Sequence, residues 1–325
     1  MDKVEAFGKW VSHWFTLIVV IWAAFNYFVP ATSTAVIPNT SYLLGIILFG
    51  MGLTLRGEDF ARILKRPLPV LLGTVAHYVI MPLIAVVLCK IFNLQGATAA
   101  GVILVGSCPS GTSSSVMAYL AGGDVALDVS IETLSTLIAP LALPGLLVLY
   151  AGKYVPIPTQ SLFMSTIKIV LVPIILGVVI HTLFRKQVDM ITRALPLVSQ
   201  AAILLIIGAV VSANHANLFT AATAIVIPVV ILHNLSGYAL GLGFSFLIRL
   251  KEPQRKAITF EVGMQDSSLG ATLAMAYFAP AAAIPSTLFS IWHNISGSVL
   301  SSWWRAHSES KGTLDRQAAA ARATH

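Results

Sequence analysis

Apolar runs and short polar breaks alternate along nearly the whole chain. Proline, glycine and charge clusters divide it into ten apolar segments, roughly 12–29, 39–54, 68–92, 95–122, 124–151, 158–184, 195–213, 219–249, 254–278 and 283–304. Most approach the ~20 residues that a helix needs to cross a bilayer. The pattern predicts an all-α integral membrane protein of ten transmembrane helices. The tail after Trp304, residues 305–325, is polar and alanine-rich and is expected to be frayed.

Two segments are interrupted. The fourth contains GVILVGSCPSGTSSSVMAYLAGG (101–123), with Pro109, Ser110 and Gly111 at mid-span. The ninth contains ITFEVGMQDSSLGATLAMAYF (258–278), with the polar stretch EVGMQDSSLG at mid-span. Each runs from an apolar helix through a glycine-containing break into a Ser/Thr-rich helix start and a Met-Ala-Tyr segment. The copies stand five segments apart, and an odd number of crossings reverses orientation. This is the pattern of two inverted five-helix repeats, residues 1–151 and 152–304, with discontinuous helices four and nine crossing each other. Unwound peptide at membrane depth is tolerated only where protein or a wet cavity satisfies it. Half-helix N-termini at such a crossing attract an anion, and freed carbonyls offer oxygens to a cation. Two unrelated kinks in packing helices are the simpler alternative, made unattractive by the matched position and chemistry.

Composition agrees: mean hydropathy is +0.84 and only 10% of residues are charged, against about a quarter in a soluble domain. The net charge of +7 is not the footprint of a nucleic-acid binder, because its cations sit in short loops. On the ten-segment scheme, Lys3, Lys9, Arg56, Arg62, Lys65, Arg66, Arg185, Lys186, Arg193, Arg249, Lys251, Arg255, Lys256, Arg305, Lys311, Arg316 and Arg322 share one side with both termini. Lys90 and Lys153 fall on the other, and Lys168 falls within a span. The asymmetry predicts cytoplasmic N- and C-termini. The opening MDKVEAFGKW has no cleavage site of a signal peptide, so the first segment is expected to be retained. Cys89 and Cys108 give neither a metal pattern nor a disulfide framework and are expected to be packing residues.

Four carboxylates fall inside predicted spans: Asp128, Glu132, Glu261 and Asp266. Each costs ~2.5–3.5 kcal/mol at the bilayer centre, so each is a functional candidate. Asp128 and Glu132, in DVALDVSIETLSTL, stand four residues apart and share one helix face. Two such carboxylates in a dry site share a proton or hold a cation. The alternative for Asp128 is access to water near the end of its span. Of the intramembrane histidines, His181 and His233 are expected to be hydrogen-bonded packing residues, while His77 and His293 are site candidates. Lys168 is expected to snorkel or to pair with a carboxylate.

The segments CPSGTSSSVMAYLAGGDVALDVSIETLSTLIAP (108–140), EVGMQDSSLG (261–270) and FSIWHNISGS (289–298) resemble the bile acid:sodium symporter family, across essentially the whole chain. The resemblance implies a core domain of helices 3–5 and 8–10 against a panel domain of helices 1–2 and 6–7, in a multi-pass protein of a bacterial inner membrane. It implies an alternating-access symporter of small organic anions, bile-acid-like or pantoate-like, with sodium as coupling ion and no prosthetic cofactor. Its partners are then the organic anion and the lipid bilayer, with no nucleic acid.

Mapped by the family pattern, sodium is held through Ser114, Glu261 and Gln265, with Val262 and Met264 contributing backbone oxygens. Four further positions depart from it. Ser115 stands where Asn is usual, Asp128 and Glu132 where hydroxyl residues are usual, and His77 where a sodium-ligating Gln is usual. These changes add groups that take up protons, so coupling to protons in place of, or beside, sodium is expected. The substrate is expected beside the crossing, at Thr112, Asp266, Ser267, His293 and Asn294, with Asp266 again a departure from a typical Asn. The rival reading is a cation/proton antiporter of similar crossed-helix design. An intramembrane serine hydrolase built on GTSSS and His293 lacks support, because hydroxyls beside a helix break are ordinary capping. A sensor lacks an output domain.

Overall fold

The computed structural model describes residues 3–65, 67–192, 194–216 and 220–323 of the 325. Among them the chain is helical throughout, with one isolated backbone bridge and no strand. The principal helices are α1 (Lys3–Phe28), α2 (Thr40–Thr54), α3 (Pro67–Ile91), α4 (Gly96–Ser107), α5 (Ser113–Leu120), α6 (Val125–Ala151), α7 (Thr159–Thr166), α8 (Val172–Leu183), α9 (Leu195–Asn214), α10 (Val226–Leu247), α11 (Glu252–Gly263), α12 (Ser267–Tyr277) and α13 (Ile284–Ala323). Short helices at Ala31–Thr34, Gly57–Lys65 and Arg185–Ile191 sit in the connections.

Six stretches are long and apolar enough to cross a membrane: Ala31–Thr54, Pro67–Ile91, Val125–Ala151, Thr159–Leu183, Leu195–Asn214 and Val226–Leu247. Segments 95–122 and 254–278 do not appear as single crossing helices because each is broken into two short halves. The outer surface is apolar: Leu141, Leu149 and Leu247 are 69–79% exposed. Such a surface suits hydrocarbon rather than water. The protein is a multi-pass helical membrane protein.

Local irregularities follow from sequence. A single π turn, Ile167–Leu171, joins α7 to α8 just before Pro173. The proline ring cannot donate to the ladder, and a wide turn absorbs the missing bond. Lys168 lies exposed on that turn and has no carboxylate partner among the described residues, which favours the snorkelling expectation. His181 Nδ1 bonds to Leu55 O at 3.1 Å and His233 Nε2 to Met81 O at 3.0 Å, as packing histidines do. One expectation is corrected: the segment after Trp304 continues as helix to Ala323. Its alanine-rich composition, with the best helix former at many positions, explains why. The side chains of Lys3, Lys9, Arg62, Lys311, Arg316 and Arg322, and the whole of Arg66 and Arg193, lie outside the described residues.

The helices pack in two groups. α1, α2, α8 and α9 pack mainly on one another, while α3, α4, α6, α10, α11 and α13 surround the short helices α5 and α12. α9 and α2 meet the second group through α12. Without a hydrophobic drive inside lipid, helix pairs rely on small residues that permit close approach. Gly177 of α8 shows this against α2: a Cβ there would lie 2.6 Å from Phe49 O and 2.7 Å from the Gly52 carbonyl carbon. Gly177→Leu is therefore expected to force α2 and α8 apart and cost about 1–3 kcal/mol. Thermal unfolding in detergent should show a melting point several degrees lower, and an unchanged midpoint would contradict this contact.

Candidate functional site

α4 ends where Cys108 turns extended (φ −65°, ψ 157°) ahead of Pro109. The residue before a proline avoids the helical region, so the sequence itself stops the helix here. α11 ends at Met264, also extended (φ −105°, ψ 138°). The two unwound stretches lie against each other: Ser110 and Gln265 form an antiparallel bridge, and Asp266 N donates to Pro109 O at 2.8 Å. A Cβ on Gly111 would stand 2.6 Å from Gln265 O, so only glycine permits this approach. Each break supplies partners for peptide groups that the other exposes, which is how irregular backbone persists at membrane depth.

Beside the crossing lies a cluster of carboxylates. Asp128 and Glu132 extend from α6 and Glu261 from the last turn of α11, with ligating oxygens all within 4.8 Å of one another. All three are buried, Asp128 and Glu261 completely. Ser114 Oγ lies 3.1 Å from Asp128 Oδ2 and 2.5 Å from Glu261 Oε1, and Ser115 Oγ donates to Glu132 Oε2 at 2.9 Å. A serine has one hydroxyl proton, so Ser114 can donate to only one of its two carboxylates at a time. Among the described residues Asp128 Oδ1, Glu261 Oε2 and the neighbouring Ser110 Oγ have no hydrogen-bond partner. Lys256, on the same helix as Glu261, is engaged elsewhere, with Glu252 at 3.1 Å and Ala121 O at 2.9 Å. The donor set is all hydroxyl and carboxylate oxygen, which suits a hard cation.

His77 and Gln265 lie behind the crossing. His77 Nδ1 is 2.7 Å from Glu261 O and Nε2 is 2.9 Å from Cys108 O. The histidine thus touches Glu261 through its carbonyl rather than its carboxylate. A neutral imidazole carries one N–H for these two acceptors, where a Gln amide nitrogen would carry two. With its amide nitrogen turned toward α4, Gln265 donates to Val105 O at 3.1 Å and Cys108 O at 2.9 Å. Met264 and Val262 are fully buried.

A cavity of about 470 Å³ opens between the two helix groups. Thr112, Ser113, Ser115, Glu132, Asn294 and Ser298 line it on one side, and Met51, Thr54, Ser199 and Gln200 on the other. Among the described residues no Lys or Arg lines it. Of the residues expected at the substrate, Thr112 and Asn294 are on this wall, while Asp266, Ser267 and His293 are not. Asp266 instead caps α12, its Oδ1 accepting from Leu269 N at 3.0 Å, and His293 packs edge-on against Phe289. Sequence reasoning missed Ser199 and Gln200. Their signal was a polar pair inside the apolar run LPLVSQAAILL, which points to a wet face on α9.

Broken helices crossing beside buried carboxylates, next to an open cavity in a multi-pass bundle, define a membrane carrier of the discontinuous-helix class. The chain belongs to the Sodium Bile acid symporter family, whose sequence profile matches residues 41–221. It is 44% identical over 304 residues to the uncharacterized sodium-dependent transporter YocS of Bacillus subtilis (strain 168), covering 94% of each chain. It is 33% identical over 313 residues to the probable chloroplastic sodium/metabolite cotransporter BASS1 of Arabidopsis thaliana, covering 94% of this chain and 78% of that one. The rice (Oryza sativa subsp. japonica) probable sodium/metabolite cotransporter BASS2 is 35% identical over 263 residues, with 81% and 62% covered. These relatives are transporters, not enzymes.

Ser114→Ala should leave Asp128 and Glu261 without the oxygen between them. A hydrogen bond to a charged group is worth ~1.5–3 kcal/mol, so cation binding should weaken about tenfold or more. Sodium-dependent thermal stabilisation of the purified protein measures this; equal stabilisation of variant and parent would count against the cluster as a cation site.

Proposed function

We propose that the chain is a secondary active transporter that carries a small organic anion, coupled to sodium, protons or both, by alternating access. The reading takes ten transmembrane helices in two inverted repeats, 1–151 and 152–304, in a bacterial inner membrane with both termini cytoplasmic. The first packing group (α1, α2, α8 and α9) is read as the panel domain and the second as the core domain. The sodium-dependent relatives support the ion, and the cavity between the two groups supports a substrate passing between them.

One observation carries the mechanism: Glu132 belongs both to the carboxylate cluster and to the cavity wall. A carboxylate substrate meets hydroxyls, amides and the N-terminus of α5 in this cavity, all of which favour it. It also meets Glu132, with no basic side chain among the described residues of the wall to offset it. Two like charges a few ångströms apart in a poorly hydrated space repel by several kcal/mol. Cations on the cluster remove that repulsion. The cation therefore loads first and the anion second, and an anion already bound holds the cation in place. Sodium, bound protons, or one of each satisfy the same electrostatic requirement. Thr112 and Asn294 are the nearest positioning groups for the substrate. His77, Gln265, Val262 and Met264 form the second ion-related region behind the crossing. Asp266, Ser267 and His293 act from beyond the wall, Asp266 by fixing the start of α12.

A cation/proton antiporter would use the same carboxylates without an organic substrate. The 470 Å³ cavity with its hydroxyl and amide lining favours the symporter. Proteoliposomes separate the two readings. Uptake of a labelled small carboxylate should require a sodium or proton gradient in the parent protein. In Glu132→Gln, carboxylate binding should lose its dependence on cation, while gradient-driven accumulation should fall about tenfold. Carboxylate binding that still demands the cation in Glu132→Gln would defeat the proposed coupling. Cation-driven proton movement without any carboxylate uptake would select the antiporter.

A further inference from the structure

A second recess lies away from the crossing, at the end of the bundle where α10 turns into α11. It has a volume of about 330 Å³ and is walled by Leu242 and Phe246 of α10, Arg255 of α11, and Trp303, Trp304 and His307 of α13. Glu252 and Lys256 complete it. We propose that this recess binds the headgroup of an anionic phospholipid, with Arg255 as the phosphate ligand and the tryptophans against its glycerol and upper acyl chain.

Position argues for a lipid. The apolar helix α10 ends at Leu247 and the chain turns at once through Arg249 and Lys251 into α11. On α13 the paired Trp303 and Trp304 precede Arg305. Both helices thus pass from apolar to basic at the same level, which is the depth of headgroups, where tryptophan collects. The rim is open to hydrocarbon, with Phe246 and Trp303 each 56% exposed.

The polar groups argue for an anion. The Arg255 guanidinium lies over the Phe246 ring, 4.2 Å from its centroid, which fixes the plane of its donors. Its Nε is buried and has no hydrogen-bond partner among the described residues. Glu252, the acid in the recess, is paired with Lys256 at 3.1 Å, and Lys256 also donates to Ala121 O at 2.9 Å. That pair cancels, and among the described residues Arg255 remains as the uncompensated charge of the recess; Arg249 and Lys251 stand on the adjoining turn, outside its walls. Basic pockets between transmembrane helices hold anionic headgroups by this combination. The walls are ordered by stacking: Trp303 lies parallel to His307 at 5.3 Å, and Trp304 meets Phe260 edge-on at 5.5 Å.

The full chain in detergent is titrated with phosphatidylglycerol, phosphatidylcholine or inorganic phosphate, and bound lipid is counted by native mass spectrometry alongside thermal shift. Phosphatidylglycerol should bind tightly at one site and raise the midpoint; phosphatidylcholine and inorganic phosphate should not. Arg255→Gln should weaken that binding about five- to tenfold, as removal of one basic contact does. Arg255→Lys keeps the charge but loses the planar fork and should fall between the two. Lys251→Gln, the same charge change on the neighbouring turn, should bind as the parent does. Equal losses in Arg255→Gln and Lys251→Gln would mean diffuse attraction and would overturn the site. So would stabilisation by inorganic phosphate equal to that by the lipid, or undiminished lipid binding by a folded Arg255→Gln.

Discussion

Everything in this bundle that bears on transport depends on one constraint: peptide groups freed by two helix breaks must find partners without water. The partner of each break is the other. Asp266 N reaches Pro109 O, and Ser110 pairs with Gln265. Closing that contact fixes where α4 and α11 end and where α5 and α12 begin. It therefore fixes the position of Ser114 at the head of α5 and of Glu261 in the last turn of α11, within one hydrogen bond of each other. The requirement for glycine at 111 is a direct consequence, because a side chain there would hold the two strands of peptide away from each other. A buried cluster of carboxylates is tolerable only with such rigid support, since a loose one would draw in water and lose its selectivity for a small cation.

The sequence was read correctly where its signals are local. The segments 39–54, 68–92, 124–151 and 195–213 coincide with helices to within a residue or two, because apolar length and Pro/Gly punctuation mark both ends. The two breaks were visible for the same reason. The i, i+4 placement of Asp128 and Glu132 was readable from one helix face. That Glu261 joins them, 129 positions beyond Glu132, was not readable from pattern and came from the family resemblance. Asp266 carries two signals. The family resemblance places it beside the substrate at the start of a half-helix, and Asp followed by Ser-Ser-Leu is also an ordinary helix start, whose cap bond the structure shows from Leu269 N to the carboxylate. A polar pair, Ser199 and Gln200, marks a wet face on α9, but that this face and α2 confront α5 and α6 was out of reach, because which faces of distant helices meet is decided by long-range packing.

His77 shows how a single replacement changes what the region behind the crossing can do. Its ring spans the carbonyls that close α4 and α11, Cys108 O and Glu261 O. A primary amide can donate to both while its own oxygen stays available to a cation. An imidazole has no oxygen to offer. Gln265, turned toward Val105 O and Cys108 O, adds a second amide donor to the same helix end. The half-helix C-termini here are thus served by side-chain nitrogen, while hydroxyl and carboxylate oxygens gather in the cluster on the other side.

On the proposed function, that concentration makes the cluster's charge the governing quantity for coupling. Three carboxylates with no cationic side chain among them are stable only when they take up positive charge, and a single monovalent ion leaves two negative charges unbalanced. A symporter with neutral hydroxyls at two of these positions would feel the ion mainly through geometry. On the proposed mechanism the substrate here would also feel it through charge, because Glu132 lines the cavity between the helix groups. The two effects differ in their response to distance. A geometric linkage fails when a side chain shifts by a fraction of an ångström, whereas an electrostatic one across a low-dielectric gap of several ångströms persists. On the proposed mechanism, Asp128 and Glu132, where the family resemblance leads one to expect hydroxyls, would trade precision of ion coordination for a stronger and longer-ranged linkage between ion and anion, and would open the site to the proton as a coupling partner.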